Sequence, residues 1–230
     1  MYLRKMLFIL LAFVSAVSLA ACSDDENTTA PTPTAKANVK VVHASPDAPG
    51  VDLLVDNTVA GTNLTFPNNT GYLQVNAGTR NVKVNVSGTS TTVIQANLNL
   101  MENKFYSVFA VNQVSAIEPL VLEDNLTNPA SGKAHVRFIH LSPNAPAVNI
   151  TLTDGTIVFG NVAFKDFVDF TPLDAGTYNL QVRDAATNSN VVLELPNITL
   201  QAGKIFTVFA KGLLGGSGAQ ALGAQIIVNK

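Results

Sequence analysis

Tryptophan is absent from the 230 residues, cysteine occurs once, and histidine three times. A single thiol excludes any internal disulfide. Three histidines with no cysteine partner make no zinc site by spacing. Charged side chains are only 13% of the chain, with 14 basic and 16 acidic residues. There is no basic patch, and hence no electrostatic footprint for nucleic acid. A Gly-x-Ser-x-Gly nucleophile elbow is missing as well. The glycine run Gly212 to Gly218 ("GLLGGSG") lacks the lysine and the helix of a phosphate loop. It reads as a flexible loop before the last strand. No cofactor and no metal are expected.

The first residues carry an address. Arg4 and Lys5 precede an apolar and small-residue run from Met6 to Ala21. That is the basic and apolar layout of an export signal, too short and too poorly flanked for a comfortable membrane span. It ends in Leu19-Ala20-Ala21-Cys22, which resembles the bacterial lipobox. An ordinary signal peptide with a chance cysteine is the alternative, and the uniqueness of this cysteine argues against it. Lipidation would consume the lone thiol. Each buried acyl methylene adds about 0.8 kcal/mol, and stable anchoring takes at least two chains. The resemblance implies diacylglycerol plus an N-acyl group on Cys22, so the expected partner is a membrane.

Residues 1–21 are therefore read as signal and 22–37 as a lipidated cysteine with a tether. The Thr/Pro stretch Asn27 to Thr34 has no apolar periodicity and suits an extended linker. Asp24, Asp25 and Glu26 resemble the short acidic signal that sends certain Gram-negative lipoproteins to the cell surface. A solvated acidic patch is the other reading. Ser23 after the cysteine looks unlike an inner-membrane retention signal. The expected location is the bacterial outer membrane, with either the cell surface or the periplasm as the facing side.

The rest of the chain is written twice. "VKVVHASPDAPGVDLLVDN" (39–57) reappears as "VRFIHLSPNAPAVNITLTDG" (136–155), "NAGTRNVKV" (76–84) as "DAGTYNLQV" (174–182), and "KFYSVFA" (104–110) as "KIFTVFA" (204–210). Three collinear matches mark a tandem duplication. Within each copy the period is two: Val82, Val84 and Val86 alternate with Lys83 and Asn85, as Tyr178, Leu180 and Val182 do with Asn179, Gln181 and Arg183. Alternation of this kind marks strands with one buried face. Turn residues recur between them, with Asp56-Asn57 matching Asp154-Gly155 and Asn103 matching Gly203. The expected fold is all-β: two tandem β-sandwich domains, 38–124 and 133–230, joined at Asp124 to Lys133.

The segments "HASPDAPGVD" and "HLSPNAPAVN", each followed by an "AGT" turn and a late "VFA" strand, resemble domain of unknown function 4397, found in bacterial envelope proteins and often in tandem. The resemblance covers most of residues 38–230. It implies an immunoglobulin-like or transthyretin-like β fold and no catalytic residues; some members are loosely described as adhesion-type proteins.

The motif itself invites a catalytic reading, because His43, Ser45 and Asp47 fall within five positions. His43 shares a strand face with Val39 and Val41, and His140 with Val136 and Phe138, so both histidines point inward at a strand end. Pro46 and Pro143 hold the preceding serines, Ser45 and Ser142, extended, and Pro49 and Pro146 fix a second φ. That describes a rigid corner in which a ring N–H bonds a carbonyl. A triad needs an acid to orient the imidazole, but Asp47 becomes Asn144. Asp52 likewise becomes Asn149, which removes a carboxylate that calcium would want. A hydrolase would require an accessible serine bonded to its histidine.

The function expected is non-catalytic binding, adhesion or structure, with an unknown protein or glycan as ligand. A glycan site would favour aromatic platforms, yet Tyr72, Tyr106 and Tyr178 fall at inward positions. Phe167 stands out because its counterpart in the first copy is Asn69. It is either extra core or a contact with the other domain or a partner.

Overall fold

Alternation becomes strand along nearly the whole of residues 34–230, which are the residues described by the structure, a computed structural model. The first half contributes β1 (Lys36–His43), β2 (Val51–Val55), β3 (Thr58–Leu64), β4 (Asn69–Asn76), β5 (Gly78–Val86), β6 (Thr92–Leu100), β7 (Phe105–Val111) and β8 (Glu118–Glu123). The second contributes β9 (Lys133–His140), β10 (Val148–Leu152), β11 (Ile157–Val162), β12 (Phe167–Asp174), β13 (Gly176–Asp184), β14 (Val191–Leu200), β15 (Ile205–Lys211) and β16 (Gly223–Val228). Among the described residues the helical elements are two 3₁₀ turns, Val114–Ala116 and Gly218–Gln220. β1 begins at Lys36, so the last two residues of the stretch read as tether lie in the sheet, with Ala37 fully buried.

The four sheets repeat the duplication strand for strand. The orders β4-β1-β7-β8 and β3-β2-β5-β6 in the first half become β12-β9-β15-β16 and β11-β10-β13-β14 in the second. β1 pairs parallel with β7 and β9 parallel with β15, while the other ladders are antiparallel. Turn chemistry is as expected: Asp56 and Asn57 both hold positive φ, and Asn103 (61°) and Gly203 (77°) occupy the same left-handed position. The glycine-rich loop is not slack. Leu213 N–H donates to Gln220 O and Leu222 N–H to Leu213 O, and a Cβ on Gly212 would lie 2.1 Å from Ala221 O.

Each half has its own core between its sheets. Val39, Val41, Leu53, Val84, Ile94 and Val108 belong to the first, and Val136, Phe138, Ile150, Val182, Phe206 and Val208 to the second. Fully burying one such side chain stabilises by about 1.5–3 kcal/mol. A third cluster joins the halves: Val42, Phe109 and Leu122 pack with Ile139, Phe209 and Ile227. These are equivalent positions of the two copies, and Phe109 meets Phe209 edge to face at 6.0 Å. Equivalents that pack on each other are the signature of an approximate two-fold relation. This seam explains a departure from simple alternation. β1 and β9 carry apolar residues at both parities because one face serves a sandwich core and the other the seam.

Candidate functional site

Both histidine corners are built alike, and His43, Ser45, His140 and Ser142 are fully buried in them. His43 Nε2 lies 3.0 Å from Pro49 O, and His140 Nε2 lies 2.9 Å from Pro146 O. A carbonyl can only accept, so Nε2 carries the proton and Nδ1 is left as an acceptor. In the second copy that acceptor receives Ser142 N–H at 3.3 Å. Burial pushes both imidazoles below the usual histidine range, which holds them neutral. The hydroxyls of Ser45 and Ser142 are buried and bond neither imidazole. A nucleophile must touch its base and reach substrate; these serines do neither. Pro46, Pro49, Pro143 and Pro146 frame the turn that the imidazole closes.

The acidic and amide positions of the motif are also spent on the fold. Asp47 Oδ1 accepts Val114 N–H at 2.8 Å, and Asn144 Oδ1 accepts Leu214 N–H at the same distance. Asn144 additionally donates to Leu214 O. Either side chain can tie the corner to the loop after β7 or β15, so the exchange of Asp for Asn keeps the contact. Asp52 accepts the N–H groups of Asn63 and Gly88 and the hydroxyl of Ser87. The Asn63 bond foremost holds its carboxyl below the ordinary range. Asn149 accepts Asn161 N–H in the same way at 2.7 Å.

A polar network missed by sequence reasoning lies in the seam. Arg137 on β9 forms an ion pair with Asp124, just past β8, at 2.7 Å, and both side chains are fully buried. Asp124 also accepts the hydroxyls of Ser107 and Tyr72 at 2.6 and 2.5 Å. Arg137 donates to Thr207 at 3.0 Å and lies over the Phe170 ring. Lys40, the counterpart of Arg137, donates to Val228 O at 3.2 Å and lies over the Tyr72 ring. Asn229, the counterpart of Asp124, accepts from Thr207 and donates to Tyr72. Desolvation lowers the Lys40 ammonium to about 8 and pushes the Tyr72 phenol well up, with the Asp124 charge adding to the latter. The sequence did hold a signal: apolar residues of both parities flank Lys40 and Arg137, so strands covered on both faces were legible there.

Two further features separate the copies. Phe167 is 44% exposed, so it is not extra core. The second sandwich encloses a cavity of about 270 Å³ lined by apolar side chains, where the corresponding space in the first is about 10 Å³. Cys22 and the acids Asp24, Asp25 and Glu26 lie outside the described residues.

Comparison with known proteins yields one family. The family model described as "Domain of unknown function (DUF4397)" matches residues 37–151 and 151–230. The two segments meet inside β10, although the structural repeat restarts at Lys133. No curated protein matches. Among solved structures, the chain is similar to the C-terminal domain of AlgF from P. aeruginosa, at 24% identity and a TM-score of 0.32, over 42% of this chain and 98% of that one.

Proposed function

The chain belongs to the DUF4397 family, and we propose that it serves the bacterial envelope as a lipid-anchored, non-catalytic binding protein. One observation carries the non-catalytic reading. In both copies the histidine, the serine and the Asp/Asn of the motif are buried in the fold or bonded to its loops, leaving no reactive group free to meet a substrate. Lipidation of Cys22 and a tether through Pro33 place two such sandwiches on the outer membrane, facing either outward or into the periplasm. A protein partner suits the surface better than a glycan. Tyr106 is buried, Tyr72 lies in the seam and Tyr178 lines the cavity, so these tyrosines offer no exposed platform.

Labelled palmitate fed to a Gram-negative host expressing the full chain tests the anchor. The parent is expected to take up label and sediment with outer membranes, and Cys22→Ala to take up none. Label on the variant, or an unlabelled soluble parent, would overturn the anchored reading.

A further inference from the structure

The cavity of the second sandwich has an identifiable cause. In the first half the edge ladder keeps one register from Gly78 to Val84, with Arg80 opposite Leu98 and Val82 opposite Ala96, and shifts only between Val84 and Asn85. In the second half Tyr178 is opposite Ile198 and Leu180 is opposite Leu195, so β14 carries one residue more than β6. The extra residue makes a bulge at Pro196-Asn197, where Asn197 holds φ at +58° and its N–H donates to Asn179 Oδ1 at 2.9 Å. Bulges bend an edge strand and are found beside functional sites. A second difference widens the same space: Pro119, beside the first core, is replaced by Ala224 in the second. Phe138 and Phe159, stacked 6.1 Å apart, form one wall.

Beside the matching strands of the first sandwich the space shrinks to about 10 Å³, so its size in the second copy belongs to that copy's sequence rather than to the fold. Empty, it would forfeit packing contacts along every wall. Water gains nothing there. The one hydroxyl in the lining, Tyr178 Oη, already donates to Asp174 O at 2.8 Å, and a buried water needs several polar partners. Ile226, 36% exposed on edge strand β16, marks where the lining reaches the surface.

We infer that the second sandwich is a binding site for an uncharged aliphatic chain inserted between its sheets past β16. An apolar cavity of about 150 Å³ holds benzene, so by proportion this one accepts roughly ten carbons. A polar end of the chain stays outside, since the lining offers it no donor, acceptor or charge. The chain could come from a free fatty acid or from a lipid. This assignment rests on the binding reading above and adds a small aliphatic ligand in the core to a partner at the surface. It does not involve the anchor, so its failure in solution is distinct from a failure of lipidation in cells.

Residues 34–230 contain every strand of both sandwiches as one compact unit and serve as the test protein. Decanoic acid is titrated by calorimetry and by methyl NMR. Saturable one-to-one binding is expected, with shifts at Leu180, Leu195 and Ile198 and none at Leu53 or Leu98. Ala224→Phe, or Leu195→Phe from the opposite sheet should the first fail to fold, is expected to weaken binding at least tenfold. Dihexanoyl phosphatidylcholine, kept below its micellar concentration, distinguishes the sources. Displacement of decanoic acid by it assigns a lipid-borne chain, and no displacement assigns a free one. Absence of saturable binding, shifts confined to the surface or the first sandwich, or a folded filling variant that binds like the parent would overturn the site.

Discussion

Arg137 and Asp124 come from opposite halves of the duplication and meet 2.7 Å apart with both side chains fully buried. Removing one partner of such a pair leaves an uncompensated buried charge, whereas replacing both by neutral groups can be close to neutral. Asp124→Asn is therefore expected to cost about 3–5 kcal/mol of stability. Adding Arg137→Met should recover most of that loss. Chemical denaturation of the parent, both single variants and the double variant gives the coupling. Independent, additive losses would show that the seam does not depend on the pair.

The histidine corners predict a pH dependence. Burial lowers the pKa of both imidazoles below 6.5 in the folded state. As pH falls, the unfolded chain binds protons first, so this contribution to stability is present above about 6.5 and is lost as pH falls below it. The melting temperature should drop between pH 7.5 and pH 5, and the drop should shrink in His43→Gln/His140→Gln. At pH 7.5 each single variant should lose about 1–3 kcal/mol through its broken bond to Pro49 or Pro146. An equal pH slope in parent and double variant would sink this account.

Phe167 lies 44% exposed at the start of β12, opposite Ile139. Substitutions away from buried contacts usually change stability by no more than about 0.5 kcal/mol. Phe167→Ser should stay within that limit in thermal unfolding. A loss well beyond it would return the ring to the packing of the fold.

Asp24, Asp25 and Glu26 precede the described sandwiches, and the compact unit closes from Thr34 onward. Replacing all three with alanine should leave acylation and the melting temperature of the exported protein unchanged. On intact cells, protease should then cleave the parent but not the variant. Equal cleavage of both would make the acids a solvated linker, and resistance of the parent would place the protein on the periplasmic side.

Much of this was legible in the residues. The tandem copies, the period-two strands, the positive-φ turns at Asn103 and Gly203 and the inward histidines are all local patterns, and each appears in the structure. The seam was not read. A polar residue between two apolar ones, such as Lys40 between Val39 and Val41 or Arg137 between Val136 and Phe138, looks the same whether its face meets water or another sheet. Only the apolar neighbours Val42 and Ile139 betray the second covered face. The cavity was hidden for a different reason. One extra residue in β14 looks like a small gap between repeats, and only pairing shows that it bends an edge. Phe167 against Asn69 was legible as a difference between the copies, and only the fold shows that it is exposed rather than extra core.

The approximate two-fold seam also governs self-recognition. Were a second half to meet another second half across the same faces, Arg137 would come against Asn229, and its guanidinium would be buried without an anion. Two first halves would instead bring Lys40 toward Asp124, opposite charges that tolerate each other. The duplicated chain thus carries a discriminating surface at its own midline. It accepts the unlike half and rejects one kind of like pairing.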